Sequence, residues 1–199
     1  MDLFRQAKIE IQSAERAITK LKDAKTFDEF EDAWKNYLNN IEKCWKKVER
    51  ICQPIKNKFQ PWQGQFVRLR RKDMLLKYLL HARNADQHSI QEIIEHKQGG
   101  VAFKHPGGSG FVKSMKIVNG VITEYIGSPL IVENYPSKIE LLKFKNRSGW
   151  YNPPTQHLDQ NLEKRDPISV AQKGLEFYKQ FLEEAERKFK DIIPSNYSQ

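Results

Sequence analysis

Residues 73–97 read DMLLKYLLHARNADQHSIQEIIEHK, and the fold turns on whether they make one helix. Leu75, Leu76, Leu79, Ala82, Ile90, Ile93 and Ile94 recur at the spacing that keeps apolar side chains on one side of a helix. The spacing predicts a helix over the whole stretch. Lys77, His81, Asn84 and His88 share a stripe of its polar side, at steps of four, three and four, and Arg83 lies at the opposite edge of that side. Arg83 and His88 suit the cutting of RNA. A guanidinium grips phosphate bidentately and keeps its charge, and an imidazole passes a proton near neutral pH. On an ideal helix the two point about 140° apart. One helix therefore does not aim both at one phosphate, and a second copy is expected to complete the site. The bland alternatives are a solvent-exposed or capping His88 and an Arg83–Asp86 ion pair worth ~0.3 kcal/mol.

Outward from this stretch, three further segments carry apolar residues at steps of three and four. The first holds Phe4, Ala7, Ile11, Ala14, Ile18 and Leu21; the second holds Phe30, Trp34, Tyr37, Ile41, Cys44, Val48, Ile51 and Ile55. The third, near the end, holds Ala171, Leu175, Tyr178, Leu182, Ala185 and Phe189. Thr26-Phe27-Asp28-Glu29 reads as a capping box and Asp166-Pro167 as an N-cap with proline in the first turn. Pro54 is expected to bend or end the second helix. Gln60-Pro61-Trp62-Gln63-Gly64 reads as a loop, followed by the basic run Arg68-Leu69-Arg70-Arg71-Lys72. From Gly99 to about Pro154 the pattern alternates. Phe111–Val118, Asn119-Gly120 and Val121–Ile126 make a strong hairpin signal, with further strands expected at 130–133 and 138–145. The expected fold class is mainly α: a four-helix bundle with a small antiparallel β insertion before the last helix. Its divisions are 1–98, 99–157 and 158–199, the last ending in a loose tail.

The chain has 199 residues, 39% hydrophobic and 30% charged, with a formal net charge of +9. That excess favours polyanions. No apolar run is long enough to span a bilayer and the N-terminus has no apolar signal core, so a cytoplasmic protein without membrane contact is expected. Cys44 and Cys52 sit about 12 Å apart along a helix axis, too far for a disulfide. No CxxC or HExxH pattern offers a metal site, and no GxxxxGK[ST] loop a nucleotide site, so neither metal nor cofactor is expected. The Gly99-Gly100 and Gly107-Gly108-Ser109-Gly110 clusters read as turns. Arg68, Arg70, Arg71, Lys72, Lys77 and His81 are the candidate nucleic-acid contacts. Trp62, Trp150 and Tyr151, with Arg147, are candidates to stack on single-stranded bases.

A four-helix domain whose third helix carries arginine, a polar residue and histidine resembles the HEPN superfamily. Here Arg83, Asn84 and His88 match that pattern, and the resemblance covers roughly residues 1–97 and 160–190. It implies a metal-independent endoribonuclease that works as a homodimer, the two motifs meeting across a two-fold axis. His88 would be general base or acid, Arg83 would stabilise the phosphorane, and Asn84 would position the phosphate. The product end would be a 2′,3′-cyclic phosphate. Many relatives act in toxin–antitoxin or phage-defence systems, which implies an antitoxin or defence partner. Some toxin members carry a tyrosine two places after the histidine that their antitoxin modifies; here that place holds Ile90. The rival readings are a non-catalytic helical module that binds nucleic acid, nucleotide or protein, and a purely structural protein.

Overall fold

A computed structural model describes residues 2–88, 91–146 and 149–194, without the side chains of Gln87 and His88. It corrects the expected fold class. Among the described residues there are five helices and ten short strands, 53% and 22% of those residues, which makes a mixed α/β protein rather than a four-helix bundle with a small insertion. The helices are α1 (Arg5–Asp23), α2 (Phe27–Ile51), α3 (Lys56–Lys72), α4 (Met74–His88) and α5 (Pro167–Phe189). The strands are β1 (Ile94–Lys97), β2 (Gly100–Lys104), β3 (Val112–Val118), β4 (Val121–Gly127), β5 (Ile131–Tyr135), β6 (Lys138–Leu141), β7 (Phe144–Asn146), β8 (Gly149–Tyr151), β9 (Gln156–His157) and β10 (Gln160–Asn161).

Two helical segments also depart from expectation. The expected loop at 60–64 lies inside α3, which follows a 3₁₀ turn at Gln53–Ile55 containing Pro54. Pro61 and Gly64 are poor helix interior residues, but they are overridden by burial. Phe59, Gln63, Phe66 and Arg70 are buried, and Trp62 packs on the core. The expected helix over 73–97 ends at His88, and Ile94 opens β1 instead. Ile93 and Ile94 are both buried, so the chain uses two adjacent apolar residues where an amphipathic helix would bury one side.

The chain forms two compact units, Met1–Glu95 with Ile139–Gln199, and His96–Lys138. In the helical unit, only residues 24–26 join α1 to α2, so the two pair as a helical hairpin. The Thr26–Glu29 capping box starts α2, and Asp166 accepts from the Ser169 N–H to start α5 behind Pro167. α5 closes the core against α1 and α2. Trp45 stacks on Phe181 with ring centroids 4.2 Å apart, and Trp62 stacks on the same ring at 5.8 Å. These contacts tie α2, α3 and α5 together through large apolar surfaces. Gly174 of α5 lies so close to α4 and α2 that an added Cβ would run into Leu79 and stand 2.5 Å from the Tyr37 hydroxyl. Ion pairs Lys8–Glu186 and Lys47–Glu10, each 2.6 Å, join α1 to α5 and to α2. Cys44 and Cys52 are free and buried, and burial pushes both thiols up to about 12.

The unit at 96–138 is built of two-stranded antiparallel ladders, β2 with β5 and β3 with β4. Asn119 and Gly120 take φ values of 51° and 79°, so the β3–β4 connection is the left-handed turn that the Asn-Gly pair signals. None of its residues is buried. Its chain ends meet: an added Cβ on Gly99 would stand 2.6 Å from the Ser137 nitrogen.

Candidate functional site

α4 begins at an elaborate cap. Asp73 accepts from the N–H groups of Leu76 at 2.8 Å and Leu158 at 2.7 Å, and its Oδ1 lies 3.0 Å from His157 Nδ1. Burial pushes the Asp73 carboxyl up, but the hydrogen bonds from His157, Leu76 and Leu158 outweigh it and hold the pKa below the ordinary 3.8. His157 is thus a structural clamp between α4 and the β9–β10 turn. On its other side, α4 carries the β7–β8 hairpin. Phe144 pairs with Tyr151 across the ladder, and both rings point inward. Phe144 packs on Tyr78, and His81 stacks on Tyr151 with centroids 3.9 Å apart. Gln91 donates to the Lys145 carbonyl and accepts from its N–H, both at 2.9 Å, which extends β7 along its open edge.

This hairpin covers part of the polar stripe of α4. Lys77 stays exposed, its ammonium 5.7 Å from the Tyr151 ring. His81 is half-buried, with Asn146 Nδ2 3.2 Å from its Nδ1. With the amide so oriented, Asn146 donates and the ring proton sits on Nε2. Burial and the nearby Lys77 charge both lower the His81 pKa, so the ring is neutral at neutral pH. Asn84 and Arg83 follow one turn on, both half-buried. Arg83 Nη1 lies 3.4 Å from Asn84 Oδ1, while Arg83 Nε is sealed from solvent without a hydrogen-bond partner among the described residues. The side chain of His88 lies outside the described residues, as do Ile90 and Arg147.

The Arg83–Asp86 tie is not formed. The Asp86 carboxylate instead lies 3.8 Å from Lys35 of α2, which also holds Glu31 at 3.0 Å. Burial raises the Asp86 pKa, Glu31 adds to the rise, and Lys35 and Arg83 oppose it. No described carboxylate is within ion-pair range of Arg83.

The basic run at the end of α3 divides. Arg68, Arg71 and Lys72 are exposed. Arg70 is a correction: it is buried, paired with Glu42 and sandwiched between Trp45 at 4.1 Å and Tyr178 at 5.5 Å. Trp62 is a second correction, because its ring packs into the aromatic core rather than standing free for a base. Tyr151 is buried beneath His81, and Trp150 remains exposed. Sequence reasoning missed Asn146 and the hairpin's seat on α4. The signal was the alternation of Phe144, Lys145 and Asn146, with Tyr151 standing opposite Phe144.

A broad groove of about 940 Å³ runs between α1, α5 and the 157–164 segment. Its Lys173 and Lys179 already pair with Glu176 and Glu15, and no residue of α4 lines it. Among the described residues no three His, Cys, Asp or Glu side chains cluster so as to hold a metal ion, and no helix is long and apolar enough to cross a membrane. No protein family, curated protein or solved structure matched the chain when compared.

Proposed function

We propose that the protein is a HEPN-like, metal-independent endoribonuclease acting through a composite site formed by two copies of α4. The observation that carries this reading is the state of Arg83. It sits half-buried on α4, without a carboxylate partner among the described residues, beside Asn84, the polar residue of the motif. A half-buried guanidinium with unspent donors is suited to a phosphate. His88 removes the proton from a ribose 2′-hydroxyl. The 2′-oxygen attacks the adjacent phosphorus, and the 5′-oxygen leaves, taking a proton from the His88 of the second copy. Arg83 bears the charge that builds on the phosphorane oxygens, and Asn84 holds the phosphate. The strand ends in a 2′,3′-cyclic phosphate. Exposed Arg68, Arg71, Lys72 and Lys77 supply the electrostatic footprint for RNA. The setting is a cytoplasmic toxin or phage-defence system, with an antitoxin or defence partner.

The test is incubation of the purified protein with total RNA in EDTA, beside His88→Ala and Arg83→Ala. Cleavage is expected to survive chelation, to leave cyclic phosphate ends, and to fall by about 10²–10⁴ without the general base and about 10²–10³ without the arginine. Cleavage that requires magnesium or persists in His88→Ala sinks the mechanism. Binding without cleavage by the wild type supports the second reading, a non-catalytic nucleic-acid module, which the basic charge also favours.

A further inference from the structure

The outward face of the β7–β8 hairpin carries a cluster that the motif on α4 does not use. Lys145 and Trp150 are directly paired across the ladder, so both project from the same face. Trp150 is 60% exposed. The Lys143 ammonium stands 4.7 Å from the centre of its indole. Lys145, exposed like Lys143, shares the ring's face of a strand pair whose inner face is fixed on Phe144 and Tyr151. Residues 143–151 contain three cations and no acidic residue.

An open indole with cations beside it matches one ligand chemistry in particular. A splayed base stacks on the ring, and its flanking phosphates meet the ammonium groups. Paired bases keep their faces inside the helix stack, so a duplex offers no such contact. A protein partner would need an acidic and apolar surface together; a single strand supplies anionic charge and flat apolar faces at every nucleotide. The hairpin is also rigid enough to present the ring. Gln91 locks the backbone of β7, and the inner rings fill the space over α4.

We infer that Trp150, Lys143 and Lys145 form a binding platform for single-stranded nucleic acid, with one base stacked on the Trp150 indole. This deepens the proposed function by naming the form of the substrate, and it rests on that reading for its choice of RNA.

The probe is a fluorescently labelled 2′-O-methyl oligouridylate, which binds like RNA but has no free 2′-hydroxyl to attack its own phosphate. Binding is thus measured apart from cleavage, and loss of cleavage in total RNA leaves the platform standing. Anisotropy titration is expected to show the single strand bound more tightly than a duplex of the same length. Trp150→Ala should weaken the single strand by about 5- to 150-fold, the range for loss of one stacked base, and Trp150→Tyr should restore most of it. Replacing Lys143 and Lys145 with glutamine should lower the salt slope by about 1.4, at ~0.7 per phosphate contact. Circular dichroism melts check that each variant folds. Single-strand binding unchanged in folded Trp150→Ala, tighter binding of the duplex, or no binding by the wild type overturns the inference.

Discussion

Arg70 and Glu42 sit inside the helical unit, where each charge depends on the other. Burial alone would lower the pKa of the guanidinium, but the interactions with Tyr178 and Glu42 outweigh that and raise it, so the group stays charged. Arg70→Met leaves Glu42 buried without its partner and should cost about 3–5 kcal/mol in urea unfolding. Adding Glu42→Leu should return most of that loss. If the double variant is no more stable than the single one, the pair is not what holds α2 to α3. Gly174 makes a second point at this scale. Its missing side chain is the space that Leu79 and the Tyr37 hydroxyl occupy. Gly174→Ala improves helix propensity, yet overpacking of this kind costs about 1–3 kcal/mol, so the net effect is expected to be destabilising. A raised denaturant midpoint would show that α5 can withdraw without penalty.

α4 is held at its start by one carboxylate with three partners. Asp73→Ala removes the cap and the clamp on β9–β10 together and should cost about 1–2 kcal/mol. Because the folded pKa of Asp73 is depressed below 3.8, its contribution is present above that value and is lost as pH falls through the lower, folded one. The difference in stability between wild type and Asp73→Ala should therefore shrink in acid and be constant near neutrality. A constant difference down to pH 2 would remove the carboxylate from the account. The Thr26 capping box, the Asp166 N-cap and the Asn-Gly hairpin were legible in sequence because each is a local pattern with a local cause. α3 was not, because Pro61 and Gly64 argue for a loop locally, and only the distant rings of α5 make helix the better choice. The end of α4 was misread for a related reason: Ile93 and Ile94 fit a helical period, but the chain buries them as it enters β1. For the candidate site, residue types could be read and burial could not. Arg70 and Arg71 are adjacent cations in the sequence, and one is core while the other is exposed.

The unit at 96–138 has no buried residue, and three of its apolar side chains, Phe111, Val121 and Ile126, stand more than half exposed. Two-stranded ladders without a core are marginal in water. Hydrogen exchange is therefore expected to label this unit far faster than α2 or α5, and equal protection would contradict the description. Since Gly99 and Ser137 adjoin, replacing residues 100–136 by a short glycine linker should leave the melting of the helical unit cooperative and within a few degrees of wild type. Loss of the transition would show that the helical unit needs residues 100–136 to fold. The position of α5 has a consequence in time. The aromatic core of α2 and α3 is finished only by Phe177, Phe181 and Phe189, which follow α4 after roughly 90–100 intervening residues, a delay of ~4–20 s at ~5–20 residues per second. During translation Trp45, Trp62 and Phe66 must wait that long in water, so the nascent chain passes through a sticky stage whose length is set by the ribosome, and slowing synthesis before residue 167 should raise aggregation without changing a single contact of the finished protein.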